Sequence, residues 1–327
     1  MHRTIILILL VSLLTACSGI SPTPSSSSQA SIQPVHTQSP SAAQTVVRAE
    51  LSPPPTILFQ SNRENGAALY RIQPDGRHRQ RITPTTILAY HPTWSPDGQR
   101  IVFASAELGT GDLFRIDVDG SHLQRLTHSR ENVTFPAWSP DGQSIAFVRR
   151  NRLMTGISLI RSDGSGWTDV FTATLTPTII IGPPTWSPNG RELAFSSNID
   201  GSYQIYALTL DGHTRQLTTQ GSSNFDPAWS PSGEEIAFVS NYEDQPKRQA
   251  TAIYLMRTDG SSIKRLTELG SPNLLPAWSP DGIRLAFLSF RTGQGDIYVI
   301  NRDGSQETRV TNDDARDYRP VWDPSAK

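Results

Sequence analysis

The chain contains a single cysteine, Cys17, and the position of this thiol limits its chemistry. It ends the segment Leu14-Thr15-Ala16-Cys17, which closes an apolar run that begins at Ile5. An apolar run of this length near a basic N-terminus is typical of an export signal, and it is too short to cross a bilayer as a permanent helix. A thiol directly behind such a run can serve as a lipid attachment site.

This segment resembles the lipobox, in which a bacterial lipoprotein is diacylated on cysteine and then cleaved. The resemblance implies that residues 1–16 are a lipoprotein signal peptide and that Cys17 carries the lipid; an ordinary signal peptide with a chance cysteine is the alternative. A lipidated Cys17 would leave no free thiol for disulfides, thiolate metal sites or cysteine catalysis. We therefore expect an exported protein, lipid-anchored to a membrane on its periplasmic or cell-surface side.

The rest of the sequence offers little sign of catalytic chemistry. It contains no Gly-x-Ser-x-Gly motif, no His-Glu-x-x-His motif and no phosphate-binding glycine loop followed by lysine. Asp117-Val118-Asp119-Gly120 begins like a calcium loop but lacks the later ligands. The formal net charge is −1 and both signs are mixed along the chain. We expect no cofactor, no metal site and no nucleic-acid partner.

Residues 17–55 differ in composition from the rest of the chain. They are rich in Ser, Pro, Thr and Gln, with few charges and few large apolar side chains. Such a segment cannot bury enough apolar surface to offset the entropy lost on ordering it. We expect a disordered tether between the lipid and a folded domain that spans residues 56–327.

A repeated motif defines the elements of that domain. The motif is Pro-x-Trp followed by Ser-Pro-Asp-Gly or a close variant, and its tryptophans are Trp94, Trp138, Trp186, Trp229, Trp278 and Trp322. Successive tryptophans are 44, 48, 43, 49 and 44 residues apart. This spacing is about what four short strands and their turns require, which is one blade of a β-propeller.

The phase of the repeat predicts how the ring closes. Each period contains an apolar triplet that ends in Phe, a second strand that runs into Asp-Gly and a short edge strand. The domain opens on the Phe strand at Ile57 and closes on an unpartnered Trp strand near Val321. If that last strand joins the first blade, six whole blades form. We predict an all-β fold, a six-bladed β-propeller closed by pairing of the N- and C-terminal strands.

The Pro-x-Trp-Ser-Pro-Asp-Gly motif, the Ala-Phe strand and the Leu-Thr edge resemble the TolB-like propeller repeat over residues 56–327. Periplasmic TolB carries an α/β domain before its propeller where this chain has the tether, so a role in the Tol system is not expected to carry over. The resemblance implies a binding module rather than an enzyme. The alternatives are a purely structural envelope component and a propeller-mouth enzyme such as a polysaccharide lyase, for which only His91 and His128 stand near the expected site.

The binding surface is expected where the links between blades vary in sequence, at one rim of the ring. The residues just before each Pro-x-Trp should surround the mouth of the central channel, and the candidates among them are Tyr90, His91, Phe135, Phe225, Asp226, Tyr318 and Arg319. Aromatic rings with a few polar groups suit a protein, peptide or glycan of the cell envelope. We expect the domain to be monomeric.

Two further features lie outside the regular repeat. Arg149-Arg150-Asn151-Arg152 is predicted as a loop that could contact an acidic ligand, although a solvated loop is the commoner outcome. Trp167 follows Gly164-Ser165-Gly166 and is the only tryptophan outside the motif. The sequence does not determine its exposure, nor whether either feature takes part in binding.

Overall fold

The computed structural model describes residues 55–64, 66–106, 111–129, 131–174, 181–221, 223–243 and 250–325. These ranges contain β-strands, turns and irregular segments but no helix. Accordingly, none of them contains a helical segment with the length and hydropathy needed to cross a bilayer. The predicted signal peptide, Cys17 and all of the predicted tether except its last residue lie outside the described residues.

Within these ranges, 24 strands form six antiparallel sheets of four strands each, which are the blades. Blade 1 contains β1 (Ile57–Ser61), β2 (Ala68–Ile72), β3 (Gln80–Arg81) and β24 (Asp317–Trp322). Blade 2 contains β4 (Tyr90–Trp94), β5 (Arg100–Ser105), β6 (Asp112–Asp117) and β7 (Gln124–Arg125). Blade 3 contains β8 (Asn132–Trp138), β9 (Ser144–Arg150), β10 (Met154–Arg161) and β11 (Thr168–Thr174).

The remaining three blades follow in chain order. Blade 4 contains β12 (Thr185–Trp186), β13 (Glu192–Ser197), β14 (Gln204–Thr209) and β15 (Thr214–Gln216). Blade 5 contains β16 (Asn224–Trp229), β17 (Glu235–Ser240), β18 (Ala252–Arg257) and β19 (Lys264–Arg265). Blade 6 contains β20 (Asn273–Trp278), β21 (Arg284–Ser289), β22 (Asp296–Asn301) and β23 (Thr308–Arg309).

The strands that carry the motif tryptophans form the inner ring of the propeller. Each of β4, β8, β12, β16, β20 and β24 contacts the next, and β24 contacts β4. In blade 1 the strand order is β24-β1-β2-β3, with Trp322 opposite Ile57 and Val321 opposite Leu58. The predicted six-bladed fold, closed by pairing of the terminal strands, is confirmed. We number strands within a blade from the inner strand outward.

The motif tryptophans pack between neighbouring blades, as their recurrence predicts. Trp94 of blade 2 packs in one apolar cluster with Leu58 of blade 1. Its indole N–H donates a hydrogen bond of 3.2 Å to the carbonyl of Val321 on the preceding inner strand. Trp186 and Trp278 make the equivalent bond to their own preceding inner strands at 3.0 and 3.1 Å. Each of these bonds satisfies a buried donor and joins two blades.

Five blades repeat two further contacts. Ring centroids of facing residues on the second and third strands lie 5.6–5.9 Å apart in the pairs Phe59–Tyr70, Phe103–Phe114, Phe195–Tyr206, Phe238–Tyr254 and Phe287–Tyr298. A buried Thr hydroxyl after the fourth strand accepts a backbone N–H of the third strand at 2.9–3.0 Å, from Thr83, Thr127, Thr218, Thr267 and Thr311. These contacts fix the outer edge of the blade.

Blade 3 departs from this pattern. Its outer strand β11 has seven residues, whereas the outer strands of the other blades have two or three. The residue that faces Phe147 is Ser158 rather than an aromatic residue. Trp167, just before β11, supplies the missing ring, because its indole meets Phe147 edge-on at a centroid distance of 4.7 Å. The indole remains 37% exposed.

Candidate functional site

The inner strands bulge at one end of the channel. Five residues that directly precede Pro-x-Trp have φ between +50° and +56°: His91, Phe135, Asp226, Leu275 and Arg319. The pairing with the second strand shifts register at the same points. The left-handed conformation costs a residue with a Cβ about 1–2 kcal/mol. A β-bulge changes the direction in which nearby side chains point. The strained backbone therefore sets the direction of these five side chains.

Blade 4 lacks this conformation because Pro183 occupies the equivalent position. The proline ring holds φ near −65°, which excludes the left-handed region. The neighbouring N–H of Gly182 instead donates to the carbonyl of Ser196 at 2.7 Å. Five of the six inner strands therefore carry a bulge at this end of the channel, and β12 does not.

We use the term mouth for the twelve residues that immediately precede the six Pro-x-Trp motifs: Tyr90, His91, Thr134, Phe135, Gly182, Pro183, Phe225, Asp226, Leu274, Leu275, Tyr318 and Arg319. All twelve are half-buried, whereas the motif proline after each pair is buried. They stand at the start of the inner strands, on the rim opposite the Ser-Pro-Asp-Gly hairpins. This burial suits side chains that line a recess rather than fill a core.

Four of the predicted residues lie close together in the mouth. The rings of His91 and Phe135 have centroids 4.2 Å apart with planes inclined at 36°. The guanidinium carbon of Arg319 lies 4.5 Å from the Phe135 centroid, and the ring centroids of Tyr90 and His91 are 6.3 Å apart. His91 Nδ1 is 2.6 Å from Thr134 Oγ1, which fixes the imidazole orientation. Blades 1, 2 and 3 thus build one aromatic and cationic surface.

Three ionisable groups of the mouth influence each other. Burial lowers the pKa of Arg319 to about 10, and the carboxyl group of Asp226 partly opposes this. Burial raises the pKa of Asp226, although Arg319 and a hydrogen bond from the Leu275 backbone act against the shift. Burial and the charge of Arg319 hold the pKa of His91 well below 6.5, so the imidazole is neutral at pH 7. The mouth therefore combines neutral rings with one desolvated guanidinium.

The other predicted residues make fewer contacts with these four side chains. Asp226 of blade 5 is linked to Arg319 through its charge. Tyr318 packs beside Gly295 at the rim of blade 6, where a side chain at Gly295 would meet its ring. Phe225 is half-buried next to Asp226. The positive φ values are the feature that sequence reasoning missed, since His, Phe, Asp, Leu and Arg share no turn preference and only the proline that follows them marks the position.

The prediction that Arg149 belongs to an exposed loop is wrong. Arg149 and Arg150 are the last residues of β9, because the second and third strands of blade 3 extend further than predicted. The Arg149 side chain is 5% exposed and donates to both carboxylate oxygens of Asp169 at 2.8 and 2.6 Å. It also donates to Glu131 at 3.1 Å. A guanidinium held by two carboxylates is not available for an acidic ligand.

The two histidines of the lyase alternative occupy different places. His91 lies in the mouth against Phe135, whereas His128 borders a cleft beside Trp167 on blade 3. Within the part of the chain that the structure describes, no three His, Cys, Asp or Glu residues are grouped so that they could hold a metal ion.

Fold and site together define a closed six-bladed propeller with a cluster of aromatic and cationic side chains at one end of its inner strands. The chain belongs to the TolB beta propeller domain family, which matches residues 27–179, 173–274 and 245–327. Comparison with curated proteins finds no significant match.

Several solved structures share the fold at low sequence identity. TolB from Acinetobacter baumannii is 20% identical with a TM-score of 0.71 over 82% of this chain and 66% of that one, so the chain spans just under two thirds of that protein. A protein of Agrobacterium tumefaciens assigned as TolB is 22% identical, with a TM-score of 0.62 over 82% and 90%. Oligogalacturonate lyase from Vibrio parahaemolyticus is 15% identical, with a TM-score of 0.52 over 78% and 72%. At these identities the likeness shows the fold alone.

Proposed function

We propose that the protein is a lipid-anchored, extracytoplasmic binding module of the cell envelope, which binds a protein, peptide or glycan at the mouth. The observation that carries the proposal is the recurrence of strained, left-handed backbone under chemically different side chains in the mouth. Membership of the TolB beta propeller domain family and the predicted export signal of residues 1–16 support an envelope location. Cys17 would anchor the protein to a membrane, and the tether of residues 17–55 would hold the propeller away from it.

The strain argues for binding because the fold alone does not require these side chains. Glycine adopts positive φ without penalty, and asparagine tolerates it better than most residues. A bulge that served only to close the ring would therefore be filled at lower cost by either of them. Instead, the five bulges carry an imidazole, a phenyl ring, a carboxyl group, an isobutyl group and a guanidinium. Four residues of the opposite, hairpin rim share this conformation, namely His78, His122, Ser262 and Gln306, so the mouth is distinguished by the aromatic, apolar and charged groups that its strained residues carry.

The mouth offers a ligand two kinds of contact: ring surfaces for stacking and one strong hydrogen-bond donor. Phe135 and Tyr90 present ring surface, and the neutral His91 extends it without adding charge. The guanidinium of Arg319 is desolvated, so hydrogen bonds from it to carbonyl or hydroxyl oxygens gain strength. Extended peptides and glycan chains carry such oxygens beside apolar faces. We infer that a segment of this kind enters the mouth.

Site-specific crosslinking in cells tests the proposal. The photoreactive residue p-benzoylphenylalanine would replace Phe135, whose ring it extends, and in a matched control it would replace Ile283. Ile283 is 59% exposed and follows the Asp281-Gly282 hairpin on the opposite rim. Irradiation should give a discrete adduct at position 135 and none at position 283. Equal labelling at the two positions, or none at either, would contradict a mouth that binds a partner.

The lyase alternative is addressed with the same protein. Release of unsaturated products from polygalacturonate, lost on replacement of His91, would favour a propeller-mouth enzyme over the binding module.

A further inference from the structure

Blade 3 carries a second recess, separate from the mouth. It is an open cleft of about 510 Å³ lined by His128, Ser129, Glu131, Arg149, Trp167 and Asp169. His128, Ser129 and Glu131 lie between β7 and β8, Arg149 lies at the end of β9, and Trp167 and Asp169 lie at the start of the outer strand β11. None of these residues belongs to the mouth, so the cleft can bind a ligand independently of it.

The exposed indole of the cleft results from the departure of blade 3 from the repeat. In blades 1, 4, 5 and 6 the tyrosine that faces the second-strand Phe is buried, with at most 6% of its surface exposed. In blade 3 the ring comes from Trp167, which keeps the contact to Phe147 and yet exposes 37% of its surface. In five blades an aromatic ring on the third strand makes this core contact. In blade 3 the Trp167 indole makes it, and this indole also faces solvent.

The two carboxylates of the cleft are held in place by hydrogen bonds. Arg149 bridges the two carboxylates, and Asp169 Oδ1 also accepts the hydroxyl of Ser158 at 2.7 Å. Asn151 donates to Glu131 Oε1 at 2.8 Å. From the described residues, Asp169 Oδ2 and Glu131 Oε2 each accept a hydrogen bond from Arg149, and a carboxylate oxygen can accept more than one.

The carboxylate of Asp169 stays ionised. Burial acts to raise the pKa of Asp169, but the hydrogen bonds from Ser158 and Arg149 and the charge of Arg149 outweigh it and lower the pKa. The Asp169 and Glu131 side chains are 43% and 28% exposed, so a ligand can reach them. Fixed acceptors reduce the entropy that a ligand loses on binding.

The charge balance selects the ligand. Two carboxylates against one guanidinium disfavour an anionic ligand, and Arg149, which already bridges both carboxylates, occupies the position that a cationic ligand would take. A neutral saccharide fits both constraints, since its hydroxyls donate to carboxylates and its C–H face packs on an indole. We propose that the cleft is a binding site for a neutral saccharide, with Trp167 as the stacking surface and Glu131 and Asp169 as hydroxyl acceptors.

Calorimetric titration of the full-length, detergent-solubilised protein tests this proposal. The probes are maltotriose, cellotriose and triacetylchitotriose, with trigalacturonic acid as the charged comparison. At least one neutral trisaccharide should bind, and Glu131→Gln and Trp167→Ala should each weaken its affinity about tenfold, because each removes one contact. Ile283→Ala, at an exposed position on the hairpin rim, should leave the affinity unchanged.

Folding of each variant is checked by its melting temperature. Glu131→Gln preserves size and leaves the Trp167–Phe147 contact intact, so it tests the site even if Trp167→Ala is unstable. The proposal is overturned if no neutral trisaccharide binds, if trigalacturonic acid binds at least as tightly, or if Glu131→Gln retains full affinity. Crosslinking at position 135 is unaffected by these outcomes, so failure here is distinct from failure of the function proposed for the mouth.

Discussion

At the residue scale, the mouth shows how a repeated backbone feature can present different chemistries. His91, Phe135, Asp226, Leu275 and Arg319 share one conformation but no side-chain property. The inner strands therefore determine where the groups stand, and the sequence before each Pro-x-Trp determines what a ligand meets. Binding specificity in such a mouth can change without any change in the fold.

The first prediction concerns the neutral imidazole of His91. Its pKa is depressed by burial and by Arg319, so the unfolded chain binds a proton more readily than the folded chain. The stabilisation is complete above the ordinary pKa of about 6.5 and is lost as the pH falls below it. Between pH 7.5 and about pH 5.5, wild type should lose about 1 kcal/mol more unfolding free energy than His91→Asn.

Urea unfolding at the two pH values measures this difference. Asparagine tolerates the φ of +54° at this position and does not titrate, so the variant should fold. Groups common to both proteins, including Asp226 and Arg319, cancel in the comparison. An identical pH dependence in both proteins would show that His91 titrates normally.

A second residue-scale prediction concerns Cys17. Only a thiol can form the thioether to diacylglycerol, so Cys17→Ser should abolish lipidation and release the protein from the membrane fraction. Incorporation of labelled palmitate, followed by fractionation, measures both effects. Equal palmitate incorporation by wild type and variant would contradict lipidation at Cys17.

At the element scale, the outer edge of each regular blade depends on one hydroxyl. The recurring Leu-Thr and Val-Thr pairs predicted an edge strand, but not that the Thr side chain would replace a backbone acceptor. The strand itself is short, for example two residues in β23, so backbone pairing alone leaves the third strand incompletely bonded. The Thr hydroxyl completes it from just beyond the strand.

Thr311→Val should therefore destabilise the protein although it preserves side-chain shape. Thr311 is 1% exposed, and its hydroxyl accepts the backbone N–H of Ile297 at 3.0 Å. Valine would leave that buried donor unpaired, which costs about 1–3 kcal/mol. Denaturant unfolding should show this loss, whereas Thr308→Val on the exposed face of β23 should change stability by less than about 0.5 kcal/mol. Equal effects would mean that the hydroxyl contributes nothing.

Blade 3 marks the limit of prediction at this scale. The sequence indicated that Trp167 is irregular, but its role depends on the register that brings Ser158 opposite Phe147. A one-residue shift in register would turn every side chain to the other face. Likewise, the basic and polar run Arg149-Arg150-Asn151-Arg152 suggested a loop. The sequence could not show that Asp169 and Glu131 bind Arg149, because these two residues come from other parts of the chain.

At the scale of the whole molecule, the fold was predictable because six periods agree on it. Each tryptophan, Phe strand and Asp-Gly turn repeats the same information, so an error in one blade would be corrected by the other five. The candidate site lacks this redundancy. Its residues differ between blades, and they come into contact only because the propeller brings distant blades together. Arg319 of blade 1 and Phe135 of blade 3 are an example. Such contacts between distant segments leave no period in the sequence.

Ring closure depends on the pairing of β24 with β1. Beyond the ladder from Trp322 to Ile57, the guanidinium of Arg63 donates to both carboxylate oxygens of Asp317 at 2.8 and 2.9 Å and to Asp313 at 2.6 Å. The Arg63 side chain is 11% exposed and that of Asp317 is fully buried. The first and last strands of the propeller are thus joined by backbone hydrogen bonds, apolar packing and a buried ion pair.

Truncation after Thr311 should consequently destroy the ring rather than shorten it. It removes β24, exposes the inner edge of β1 and deprives Arg63 of both its carboxylate partners, a combination that favours aggregation or proteolysis. Removal of residues 1–53 should instead leave a soluble, cooperatively folded propeller. Size-exclusion chromatography and thermal melts of the two proteins should give opposite results. If the C-terminal truncation stays monomeric with an unchanged cooperative melt, the terminal strand pairing is wrong and the six-bladed count fails with it.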